Sequence, residues 1–159
     1  MCDAHQCGFT LLEVWIALVI VAIASCVALP VCVHSVDRAK LLDTGYTLAE
    51  QVRLQQMAAL TRQEYQEVRL TPEGNTWTLY GNQAGYEGVG FFSPGITYED
   101  GYLHLPEATV RFIDTGSVSE SGQIGLVDPE GDKFAIVVCL GSGALRFSGG
   151  LDGPPLYSS

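Results

Sequence analysis

Apolar and polar positions are spread unevenly along the chain. Between Phe9 and Val33, 21 of 25 positions are apolar, interrupted by Thr10, Glu13, Ser25 and Pro30, whereas from His34 onward the figure is 50 of 126. As a helix such a run reaches roughly 37 Å at about 1.5 Å per residue, enough for a hydrocarbon core of about 30 Å, and it predicts a membrane span. From His34 to about Val68 the pattern becomes that of an amphipathic helix. Leu41, Leu48, Val52 and Ala59 recur at heptad-like spacing, with Leu42, Tyr46, Ala49, Met57 and Leu60 beside them. This stem reads as a continuation of the first helix, and Gly45 marks a candidate kink or break, since glycine costs about 1 kcal/mol relative to alanine in a helix interior. Glu50, Arg53, Arg62, Glu64 and Glu67 read as a solvated face.

After Glu67 the texture changes to short strand-like segments separated by turns. Glu67 to Thr71 and Thr76 to Tyr80 flank Pro72-Glu73-Gly74-Asn75, a hairpin signal with Trp77 and Leu79 alternating against polar neighbours. Further segments run over Gly90 to Phe92, Ile96 to Leu105, Thr109 to Asp114, Gln123 to Val127, Lys133 to Leu140 and Ala144 to Phe147. The fold class expected is α+β: a long N-terminal helix, membrane-spanning in its first half and amphipathic in its second, packed on a small antiparallel β-sheet domain.

Charge narrows the partners. Eighteen acidic against eight basic residues leave a formal −10, and every Lys and Arg lies after position 33. Without a basic cluster, nucleic acid and anionic headgroups are poor partners. Cys2, Cys7, Cys26, Cys32 and Cys139 form no C-x-x-C pair and no Cys/His cluster at metal spacing. Cys139 is the one thiol of the downstream domain and reads as a buried structural cysteine. His104 stands near Glu99 and Asp100 without a nucleophile, a phosphate loop or an H-E-x-x-H motif, so these read as exposed loop polarity. Asp128, Glu130 and Asp132 offer oxygens to a cation, yet their spacing lacks the EF-hand pattern and Pro129-Glu130-Gly131 reads as a turn. No catalytic residue, no cofactor and no metal site is expected, and the protein is not read as an enzyme.

The N-terminus allows three readings. A cleaved secretory signal requires a positive n-region, and Met1 to Gly8 holds no Lys or Arg, although Ala22-Ile23-Ala24 has the small-x-small pattern. Ile23-Ala24-Ser25-Cys26 resembles a bacterial lipobox with Cys26 as the acylated residue, but the apolar stretch continues to Val33. Glu13 favours a third reading. A carboxylate in mid-membrane costs roughly 2.5–3.5 kcal/mol on insertion scales, and nothing between Phe9 and Val33 neutralises it. Either it snorkels in the interfacial zone, or the chain is cut before Phe9 and the new ammonium group, four residues away, reaches it along one helical face.

Gly8-Phe9-Thr10-Leu11-Leu12-Glu13-Val14 resembles the class III leader junction of type IV pilins and pseudopilins: a short leader ending in Gly, then Phe-Thr-Leu, an aliphatic residue, Glu and an apolar helix. The resemblance implies cleavage between Gly8 and Phe9 by a prepilin peptidase, methylation of the Phe9 amine, and pairing of Glu13 with the Phe9 amine of a neighbouring subunit. Pro30 fits the same pattern, and a helix-interior proline predicts a kink near the Cys26 carbonyl. Asp3 and His5 stand where such leaders usually carry Lys or Arg, and Arg38 and Lys40 flank the far side. Ala49 to Leu70 and the terminal Gly143-Ala144-Leu145-Arg146-Phe147 are similar to minor pseudopilin H and the FimT-like minor pilins.

The implied organisation is a prepilin leader over 1–8, a transmembrane and assembly helix over 9–33, a helical stem over 34–68, a β-rich domain over 69–147 and a Gly/Pro-containing tail over 148–159. The implied function is that of a minor pilin or pseudopilin subunit in a pilus-like or type II secretion fibre. Its partners would be the prepilin peptidase, other subunits, an inner-membrane assembly platform and membrane lipid. It would cross the bacterial cytoplasmic membrane once, with its C-terminal domain extracytoplasmic. The alternative is a membrane-anchored or lipidated extracytoplasmic binding module.

Overall fold

The computed structural model describes residues 10–100, 103–141 and 143–148, with residues 27–32, Pro72 and Ser148 as backbone alone. Contacts divide the chain into two compact units, Met1–Val36 and Asp37–Ser159. One helix, α1 (Leu11–Arg62), is followed by β1 (Gln66–Thr71), β2 (Thr76–Gly81), β3 (Gly85–Phe91), β4 (Thr97–Asp100), β5 (Thr109–Phe112), β6 (Gly122–Val127), β7 (Lys133–Val138) and β8 (Leu145–Ser148). This is the α+β architecture read from the sequence.

Several boundaries differ from the sequence reading, each for a tertiary reason. The helix ends at Arg62 instead of near Val68, because Gln63 adopts a left-handed backbone with φ of 54°, the conformation that closes helix C-termini. The residues just beyond it are claimed by sheet pairing, with Gln66 to Arg69 bonded to β2 on one side and β5 on the other. The glycine-rich β3 begins five residues earlier than the alternation suggested. Pairing with β2 compensates for the weak strand propensity of Gly85, Gly88 and Gly90. The strands form two four-stranded antiparallel sheets, β3-β2-β1-β5 and β4-β6-β7-β8, where one small sheet was expected. The β1–β2 hairpin turns at Pro72-Glu73-Gly74, as its turn residues indicate.

The core of the second unit is built where the heptad-like spacing places it. Leu41, Leu48, Val52 and Ala59 are buried on one face of α1 against Val68, Phe112, Ile124, Phe134 and Ile136 from both sheets. Gly45 neither breaks nor ends the helix. A Cβ built on it would lie 2.4 Å from Cδ1 of Phe134, so its missing side chain lets the helix seat on that ring. One residue earlier, Thr44 is buried, donates from Oγ1 to the Ser93 hydroxyl at 2.8 Å and accepts from the Ser93 amide at 3.3 Å.

Candidate assembly segment

The N-terminal end of α1 is held by its own sequence. The Glu13 amide donates to the Thr10 carbonyl at 3.0 Å and to the Thr10 hydroxyl at 3.3 Å, which makes Thr10 the N-cap and Glu13 the third helical residue. Thr10-x-x-Glu13 is the spacing of a capping box, a signal that the membrane-insertion argument for Glu13 passed over. Position adds a second effect, because a carboxylate in the first turn faces the positive end of the helix dipole. Glu13 is therefore favoured by local backbone chemistry as well as by any partner amine. Gly8 and Phe9, the expected cleavage and methylation residues, lie outside the described residues.

Beyond Glu13 the helix is an uncovered apolar surface. Every large apolar side chain from Leu11 to Ile23 is at least 49% exposed. Ser25 does not interrupt this character, because its hydroxyl donates to the Val21 carbonyl at 2.8 Å and is satisfied within the helix. Cys26, the lipobox candidate, is an exposed helical residue. Among the described residues no helix is long and apolar enough to cross a membrane. The backbone is helical through Pro30, whose side chain lies outside the described set.

In the second unit the polar residues singled out from the sequence have structural partners. Asp128 is buried, and its Oδ1 accepts the amides of Glu130 at 3.0 Å and Asp132 at 2.8 Å, closing the β6–β7 turn. His104 faces Asp100 at 3.3 Å with both side chains exposed, while Glu99 on β4 bonds Lys133 on β7 at 2.7 Å, reaching past the intervening β6. Cys139 is half-exposed at the end of β7 and not the buried thiol expected; its amide donates to the Ala144 carbonyl at 3.0 Å.

Glu67 leaves the solvated face assigned to it, whereas Arg62 stays exposed. Glu67 is buried on β1 with Arg69 at 2.8 Å and Arg111 at 3.8 Å, and Arg62 pairs with Glu87. Burial, then the nearby Glu67 carboxylate, pushes the Tyr65 phenol above its ordinary value.

Residues 3–28 match the family described as the prokaryotic N-terminal methylation motif. The fold resembles two structures of the minor pseudopilin EpsH from the type II secretion system of Vibrio cholerae. One has a TM-score of 0.57 at 12% identity over 71% of this chain and 99% of that one; the other has 0.57 at 11% identity over 76% and 98%. The chain thus joins an N-terminal methylation motif to a fold like that of EpsH. No curated protein matches it significantly in sequence. The matched motif includes Thr10, Glu13 and the exposed apolar side chains that α1 leaves uncovered.

Proposed function

We propose that this chain is a minor pseudopilin or pilin subunit, cut between Gly8 and Phe9 by a prepilin peptidase, methylated on Phe9 and assembled into a fibre with subunits of its own kind. The observation that carries the reading is the methylation motif over residues 3–28 on a chain with the EpsH fold. The exposed apolar face of α1 supports it, since an uncovered surface of that kind needs lipid or neighbouring subunits around it. In this reading 1–8 is the leader, 9–33 anchors the subunit in the cytoplasmic membrane before assembly, and the domain beyond is carried outside the cytoplasm.

Glu13 then has two successive roles. Before assembly it completes the helix N-terminus with Thr10, and in the fibre it pairs with the Phe9 ammonium of a neighbour. Pro30 shapes the helix between anchor and stem. The protein acts by assembly and performs no chemistry of its own. Intact-mass measurement of membrane-extracted protein tests this: loss of Met1 to Gly8 plus one methyl group is expected, whereas a diacylglyceryl group on Cys26 overturns it. Glu13→Ala is expected to leave cleavage intact and to lower entry into fibres, and wild-type entry refutes the pairing role.

A further inference from the structure

Six of the eight basic residues bond a described carboxylate: Arg38, Lys40, Arg62, Arg69, Arg111 and Lys133. Arg53 and Arg146 have no such partner among the described residues. The two differ in setting. Arg146 stands on β8 opposite Val137, one position out of phase with Leu145 and Phe147, and so points to the sheet face away from α1. Arg53 is exposed on α1 and lines a shallow cleft of about 210 Å³ with Gln56, Gly143, Ala144, Leu145 and Phe147.

The cleft is shaped by the fold. The Gln56 amide donates to the Gly116 carbonyl at 2.9 Å, and Gly143, with φ of 62°, brings its backbone so close that a Cβ there would lie 2.2 Å from Gln56 Nε2. Exposed apolar side chains lie in and beside it: Phe147 in its lining stacks on Phe134 and is 45% exposed, and outside the lining Met57 and Leu60 follow Arg53 along the helix at i+4 and i+7, 56% and 46% exposed. A guanidinium without a carboxylate, set among exposed apolar side chains on a chain of net charge −10, is complementary to an acid flanked by apolar residues.

We infer that the Arg53 cleft is a docking site for a segment of a different fibre subunit that presents an Asp or Glu carboxylate beside an apolar side chain. The inference rests on the assembly reading above. The carboxylate accepts a bidentate pair of hydrogen bonds from Arg53 while its apolar neighbour covers Phe147 and Met57.

The test uses the full chain in cells that build fibres, comparing the processed chain in purified fibres with that in membranes. Arg53→Glu is expected to lower incorporation by about tenfold or more, Arg53→Lys to retain most of it, and Arg146→Glu, with the same charge change on the other face, to leave it unchanged. A photo-reactive residue at Ala144 is expected to cross-link to an Asp- or Glu-bearing peptide of another subunit, and Arg53→Glu to abolish that product. Wild-type incorporation of Arg53→Glu, an equal loss with Arg146→Glu, absence of a cross-link, or a cross-link to residues 149–159 or to a second copy each overturns the inference. Absence of the wild-type chain from fibres refutes the assembly reading itself and this inference with it.

Discussion

Single residues acquire their roles from neighbours far away in sequence. Tyr98 illustrates this through its titration. Its hydroxyl donates to Asp100 at 2.6 Å; burial first, then that bond and the carboxylate charge, hold the phenol neutral and push its pKa well above the ordinary value of 10.0. The folded value is raised above the unfolded one, so the contribution to stability is fully present below about pH 10 and is lost as pH rises through the folded value. A spectrophotometric titration should therefore show a late phase from Tyr98 and Tyr65. Tyr98→Phe should remove part of that late phase; an unchanged titration would contradict the account. Asp128 and Gly45 carry the same lesson, since an oxygen-rich turn and a helix-weakening glycine look alike in sequence whether or not an amide or a ring lies against them.

At the scale of elements, burial separates residues of identical chemistry on one helix. Leu48 is fully buried and Leu54 is 53% exposed. Leu48→Ala should lower unfolding free energy by about 2–5 kcal/mol, while Leu54→Ala should change it by less than about 0.5 kcal/mol, as read from urea denaturation midpoints. Comparable losses would contradict the packing described. The buried face was legible because Leu41, Leu48, Val52 and Ala59 repeat at helical spacing, and the β1–β2 hairpin because turn residues separate two alternating runs. The helix end at Arg62 was not, since Gln63 carries no obvious stop signal and the β1 that follows is decided by pairing on both edges. The first half of β3 escaped for the converse reason: its glycines depress strand propensity, and only β2 reveals the partner.

The whole molecule divides its tasks between two units. Among the described residues, every member of the buried hydrophobic core lies at or beyond Leu41, inside the unit that starts at Asp37. A chain starting at Asp37 should therefore keep its cooperative thermal transition, with a midpoint within about 4 °C of the full chain in detergent, a change of under about 1 kcal/mol. Loss of the transition would show that the N-terminal run contributes to the fold itself. The sequence alone determined what depends on neighbours within a few residues: the Thr10-x-x-Glu13 cap, the apolar run, the amphipathic spacing of the stem and the turn residues between strands. Only the tertiary structure decided what depends on residues brought together from far apart. The division of the strands into two sheets, the seating of Gly45 on Phe134 and the arrival of Gly143 to Phe147 beside Arg53 span separations that no local pattern encodes, because pairing and packing choose among distant partners once the chain has collapsed.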